Sequence, residues 1–246
     1  MKEGAVRVDV RDTRTELKCN VTKSLLLYAE RNYGSELVNR LVTALGVPAD
    51  YLREGANWIS FDCFNRLLHL LVEETGNPNA PYEAGLCAAD PSAFEGMRVF
   101  AIHLLSVQSV YRLTVKHLHA FAKIADARLL DIGSTHAVIE VKYNEGIQQT
   151  HCNCLNLRGN LAALPAYFGL PYAIVEHEAC AADDADACVY SIRWEESRSG
   201  LLPVLGAAIG AIFGLLICTL DLTGNAARLT TLFGLPLGGL LVGAVL

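Results

Sequence analysis

The chain has no cluster of lysine and arginine, no G-x-S-x-G, no phosphate-binding glycine loop and no H-E-x-x-H, and each absence closes a class of function. Without a basic patch, and with a formal net charge of −6, nothing supports nucleic-acid binding. Without nucleophile-elbow, nucleotide or zinc-protease signatures, or paired carboxylates in a recognisable context, the chain is not expected to be an enzyme. The pair His151 and Cys152 does not fill that gap, because neighbours on the strand expected there point to opposite faces. Residues 1–18, MKEGAVRVDVRDTRTELK, lack the apolar core of a secretory signal, so residues 1–198 are expected to stay in the cytoplasm. There is no internal repeat and no low-complexity tract.

Charge is missing from one end. After Gly200 only Asp221 and Arg228 are charged, whereas residues 1–199 mix charged and apolar side chains as globular domains do. The 52% apolar content is high for a purely soluble protein, and the excess sits in this C-terminal part. Residues 201–220, LLPVLGAAIGAIFGLLICTL, are uncharged and long enough to cross a hydrocarbon core of about 30 Å. A second uncharged run fills 229–246, with DLTGNAAR as an interfacial turn between them. The expectation is a domain of residues 1–198 followed by a transmembrane helical hairpin over 199–246, in the inner (cytoplasmic) membrane. Its glycine-rich GAAIGAIFG and GLPLGG segments permit close helix approach, and a homodimer is expected.

Along the first 198 residues the hydrophobic period changes once. From Val21 to Val72 it is helical: Leu37, Val38, Leu41, Val42 and Leu45 recur at three and four, with Ser35 as a cap and Gly46 as a stop. SFDCFNRLLHLLVEETG (60–76) repeats the design from Ser60 to Gly76. SAFEGMRVFAIHLLS and SVQSVYRLTVKHLHAFAKIA also read as helices, with Ser106 to Ser109 as an interruption or a cap. After Ala125, LLDIGS, HAVIEVKY and QQTHCNCLNL read as an antiparallel meander, with NEG (144–146) turning between the last two. A short helix is expected in GNLAALPAYFGL, then two strands, YAIVEHEAC and CVYSIRW. The fold class is α+β, with N-terminal helices packed on an antiparallel sheet.

Eight cysteines in a reducing compartment argue for metal binding or burial ahead of disulfides. Cys180 and Cys188 bracket an acidic loop, so an antiparallel hairpin would bring their sulfurs together. His177 could rotate into the same end, and Cys154 could supply a fourth ligand, giving a closed tetrahedral Cys3His set of the kind that holds structural zinc. His177 and Cys180 are three apart, so the strand must bend or bulge between them to bring both to one face. Glu176 and Glu178 remain alternatives to His177, and Cys152 to Cys154. The loop ADDADA lacks the glycine and glutamate of an EF-hand and reads as a solvated turn.

The run from HCNCLNLRGNLAALPAYFGLP to VEHEACAADDADACVYSIRW resembles the C-terminal half of the 4-vinyl-reductase-type ligand-sensing domains, relatives of the haem nitric-oxide-binding fold. The family's pattern is a cysteine, a glycine-containing helix, a histidine or glutamate three before a second cysteine, and a third cysteine eight later. Cys154, His177, Cys180 and Cys188 match it in order and spacing, and the resemblance implies that these four hold a structural zinc. Where the family usually has glycine before the loop aspartate, this chain has Asp183 followed by Asp184. The likeness covers about residues 20–195.

The same resemblance implies a small, mostly apolar ligand between helices and sheet, with Trp58, Phe100, His103, Tyr111, Phe121, Tyr167 and Phe168 as wall candidates. Each also suits an ordinary core position. Haem is the sharper version, with His103, His117 or His119 as axial candidates, although the Tyr-Ser-Arg signature that grips haem propionates is only mimicked by YSIRW at 190–194. The implied function is a membrane-anchored bacterial sensory input domain with a kinase or cyclase output in the same chain or a partner. The alternatives are a ligand-free membrane adaptor and a haem-based gas sensor.

Overall fold

Two residues at a time, β1 (Leu17–Lys18) and β2 (Trp58–Ile59) pair antiparallel and tie the start of the domain to the middle of its helical part. The computed structural model describes residues 14–90 and 105–195. Between and after the two short strands run α1 (Asn20–Tyr33), α2 (Ser35–Leu45), α3 (Ala49–Arg53), α4 (Phe61–Thr75) and α5 (Ala80–Leu86). The periodicity of the sequence is realised: Leu37, Val38, Leu41 and Leu45 are the buried stripe of α2. Ser60 caps α4 by accepting the Cys63 N–H, and Gly46 and Gly76 end α2 and α4 in the left-handed conformation that glycine adopts without cost to a Cβ. Ser35 is the first residue of α2 and does not cap it.

Helix α6 (Val107–Lys116) begins where the Ser106 side chain accepts the Ser109 N–H, so that serine pair is a cap. It gives way to a 3₁₀ turn at Leu118–Ala120, so the longer helix expected there is cut short. The helix expected from SAFEGMRVFAIHLLS falls on residues 92–106, of which 92–104 lie outside the described residues, as do both expected spans at 201–220 and 229–246. Among the described residues no helix is long and apolar enough to cross a membrane.

The main sheet holds β3 (Ala125–Ile132), β4 (His136–Tyr143), β5 (Ile174–Ala179) and β6 (Cys188–Arg193) in the order β3-β4-β6-β5, antiparallel throughout. Ala137, Ile139 and Val141 of β4 alternate inward with Cys188, Tyr190 and Ile192 of β6, and together they form the sheet side of the core. The α+β reading of helices on an antiparallel sheet holds.

The third strand of the expected meander does not exist. Residues His151–Ala163 form a helix, α7, started by Thr150, whose side chain accepts the Asn153 N–H. The run C-N-C-L-N-L alternates with a period of two, yet the helix buries polar Asn153 and Asn156 as well as Cys154 and Leu161. Asn156 is satisfied inside by donating to the Pro81 carbonyl at 3.0 Å, so the apolar pattern does not mark the buried face. Gly159 completes the contact with α5, since a Cβ there would collide with the Tyr82 carbonyl and lie 2.9 Å from the Gly85 Cα. A 3₁₀ turn, Leu164–Phe168, follows with Pro165 in its first turn, where proline, lacking an N–H, cannot continue the α-helical hydrogen bonds.

Candidate metal centre

Three elements converge on one point. Cys154 lies one turn into α7, Cys180 follows the last residue of β5, and Cys188 opens β6. The hairpin of β5 and β6 brings the last two together as expected. His177 joins them because of a bulge: His177 pairs with Tyr190 and Ala179 with Val189, leaving Glu178 as the extra residue. One extra residue reverses the strand's alternation, so positions three apart regain a common face. That is the bend the spacing required.

The ligand atoms of Cys154, His177, Cys180 and Cys188 all lie within 4.8 Å of one another. The Cys154 sulfur is 3.5 Å from that of Cys180 and 3.9 Å from that of Cys188. A tetrahedral ion with metal–sulfur bonds of ~2.3 Å requires sulfur–sulfur edges of about 3.8 Å, whereas a disulfide requires about 2.05 Å. The spacing is that of a metal cage. None of the cysteines among the described residues is in a disulfide. The alternatives are excluded by position: Glu176 pairs with Arg193 on the surface and Glu178 is exposed. Cys152, about 200° around the helix from Cys154, places its sulfur 3.9 Å from His69 Nδ1 instead.

Electrostatics point the same way. The Cys188 thiol is pulled down to about 5, first by the hydrogen bond from Cys154 and also by the Ala181 N–H, which reaches its sulfur at 3.3 Å, while burial opposes. Cys154 is pushed up, chiefly by Cys188. Buried His177 Nε2 has no hydrogen-bond partner, an expensive state that a bound cation would relieve. Residues unremarked in the sequence support the cage. Gln149 donates to the Cys154 sulfur at 3.3 Å and to the Tyr143 hydroxyl at 2.6 Å, and its carbonyl accepts from Asn153 at 2.7 Å. Such outer partners orient ligands and tune the ion. Nothing in the spacing of Gln149 or Tyr143 announces this, whereas Tyr190, two after Cys188 on a strand, could have been placed on the same face.

The acidic loop is a short turn. Residues Ala181–Asp183 make a 3₁₀ turn, and Asp184 takes the left-handed conformation at φ 64°. Aspartate tolerates that region better than most residues, so the loop closes without glycine.

Five of the seven wall candidates lie among the described residues. Tyr111 is fully buried, with its hydroxyl on the Leu161 carbonyl at 2.8 Å and its ring stacked 4.9 Å from Trp194. The Tyr167 hydroxyl is likewise spent on the Ala88 carbonyl at 2.6 Å, and Phe168 is half-buried beside it. Trp58 sits apart on β2 under the ammonium groups of Lys18 and Lys123, and Phe121 accepts the Lys18 N–H next to it. Phe100 and His103 lie outside the described residues. His117 and His119 are exposed, and His119 Nε2 is 2.8 Å from Asp126. Their exposure sets both apart from the core. In YSIRW, Tyr190 points inward while Arg193 pairs with Glu176 at the surface, so it is not a propionate clamp.

No family model matches the chain, and no curated protein matches its sequence. Solved structures do. An H-NOX protein from S. oneidensis, a triple mutant in the Fe(II) state, superposes with a TM-score of 0.56 at 12% identity, over 74% of this chain and 98% of that one. The S. oneidensis H-NOX in its Fe(II)NO state gives 0.52 at 14% identity, over 73% and 100%. An oxygen-binding H-NOX domain related to soluble guanylate cyclases, in its oxygen complex, gives 0.53 at 14% identity, over 73% and 96%. At these identities the likeness is one of fold: the domain that carries the Cys154, His177, Cys180 and Cys188 cage has the H-NOX fold.

Proposed function

We propose that this chain is a sensory input domain for signal transduction, built on the H-NOX fold and clamped by a structural zinc. The observation that carries the clamp is the convergence of Cys154, His177, Cys180 and Cys188 within 4.8 Å, a Cys3His set of the kind that suits zinc. The fold likeness supports the sensory role. Zinc here would hold α7 against the β5–β6 hairpin and supply folding energy, with no position left for water and no catalytic part. The likeness of the same four residues to the 4-vinyl-reductase-type pattern supports a small, mostly apolar ligand, received between the helices and the sheet.

In this reading ligand arrival repacks the helices against a sheet whose corner is fixed. The stack of Tyr111 on Trp194 ties α6 to the end of β6, so a shift of α6 is felt at the end of that strand. The uncharged runs at 201–220 and 229–246 would anchor the domain at the inner membrane, with a kinase or cyclase as output in cis or in trans. A haem-based gas sensor is the second reading. It is favoured by the H-NOX fold and rests on His103 as the axial ligand.

Metal content and the visible spectrum of the full chain, beside Cys180→Ser, test both readings. One buried zinc per chain, lost in the variant, with no Soret band, is the expected result. A Soret band that disappears in His103→Ala would replace the colourless ligand with haem. Absence of zinc from the wild type would overturn the clamp.

A further inference from the structure

Cys180 belongs to two groups of side chains at once. Besides the buried four, its sulfur, a ring nitrogen of His151 and a carboxylate oxygen of Asp183 lie within 4.8 Å of one another. His151 is the first residue of α7, three before Cys154, and Asp183 ends the 3₁₀ turn, three after Cys180. The helix and the loop that carry buried ligands thus each carry one outer donor, almost one turn away. The loop donor is held in place by its own backbone: the Asp183 and Ala185 N–H groups both reach the Cys180 carbonyl, at 3.0 and 3.2 Å.

A plain surface ion pair accounts for only part of this. His151 Nε2 lies 3.3 Å from Asp183 Oδ1, and the two side chains are 67% and 66% exposed, so the pair alone adds little stability. The start of a helix favours the carboxylate, but it does not favour a cationic imidazole. The ion pair explains neither the imidazole nor the nearby sulfur. An imidazole, a thiolate and a carboxylate together make a donor set suited to zinc and its neighbours rather than to calcium or magnesium. Three protein donors on a solvent-facing edge leave a position for water, unlike the closed inner set. Charge also favours a second cation. Three thiolates around one divalent ion leave one negative charge, Asp183 adds another, and a second divalent ion neutralises both.

We infer that His151, Cys180 and Asp183 form a second, solvent-facing position for a divalent ion of the zinc class, sharing the Cys180 thiolate with the buried position. The inference rests on the proposed zinc clamp, because the two positions share the Cys180 sulfur.

The test is a zinc titration of the metal-stripped full chain, with bound equivalents counted before and after a mild chelator, for the wild type, His151→Ala and Asp183→Asn. Both substituted residues are exposed, so the fold is retained. The expected result is two equivalents in the wild type, the second removed by the chelator, and one chelator-resistant equivalent in each variant. With cobalt in both positions, X-ray absorption should show a metal–metal distance of ~3.5–4 Å that both variants lack. A single equivalent in all three proteins would overturn the second position and leave the clamp intact. A second equivalent that persists in both variants would mark an adventitious surface ion and overturn it as well. No bound zinc in any of them would sink both sites together.

Discussion

His177 stacks face to face on Tyr190, ring centroids 4.4 Å apart and planes 8° from parallel, and both side chains act on the Cys188 sulfur and help to hold its thiol down. Cation binding at the cage would satisfy the imidazole nitrogen. The phenol hydroxyl keeps the Cys188 sulfur as its neighbour. Tyr190→Phe should therefore leave zinc bound and lower stability by about 1 kcal/mol, read from the urea midpoint of the zinc-loaded protein, the usual net worth of one hydrogen bond. A gain of that size instead would mean that the hydroxyl is unpaired in solution.

The crossing of α5 and α7 depends on two facing glycines. A Cβ on Gly159 would meet the Tyr82 carbonyl and the Gly85 Cα, both backbone, which cannot rotate away. Gly159→Ala should cost roughly 1–3 kcal/mol in urea unfolding, the usual range for overpacking. An unchanged midpoint would show that the two helices can separate freely.

Burial pushes the Cys19 thiol up to about 11 from an ordinary 9.0. At about pH 8 its thiolate fraction is then ~100-fold below that of an unperturbed cysteine, and the thiolate is the reactive form. Iodoacetamide labelling followed by peptide mass spectrometry should find Cys19 among the slowest cysteines in the native protein and of ordinary reactivity in urea. Rapid native labelling would contradict its burial.

On the outer face of the sheet, Arg128 of β3 donates to its cross-strand partner Glu140 of β4 at 2.9 Å and holds that carboxyl below its ordinary 4.5. A carboxyl depressed by folding adds stability that is fully present above its unfolded value and is lost as the pH falls through the depressed one. Stability should thus fall on acidification below about pH 4 through this pair among others, and Glu140→Gln should shallow that fall. The effect will be small, since the pair is at the surface. An unaltered acid profile in the variant would show that the pair contributes nothing.

The helices were legible wherever apolar residues alone faced inward, as in α2 and α4, and so was the hairpin that joins Cys180 to Cys188. The strand expected at QQTHCNCLNL failed for a physical reason: α7 buries asparagines whose amides find partners inside, so polarity and exposure part company there. Three of the four candidate metal donors were on the elements expected for them, and the fourth, Cys154, reached the same cluster from a helix. A tetrahedral cage asks where the sulfur is, and either element can deliver it. The bulge at Glu178 followed from requiring His177 and Cys180 on one face. The hydroxyl partners of Tyr111 and Tyr167, the backbone carbonyls of Leu161 and Ala88, were not legible, because both lie far away in sequence.

The strand order β3-β4-β6-β5 places the last described strand inside the sheet rather than at its rim. Tension applied to the chain at Glu195 would load the ladders to β4 and β5 together and in shear. Their hydrogen bonds would have to yield as a group, whereas a rim strand unzips one bond at a time. β6 is consequently a stiff rod with a sulfur at its far end: a displacement at Trp194 arrives at Cys188 as a displacement, before any pairing melts.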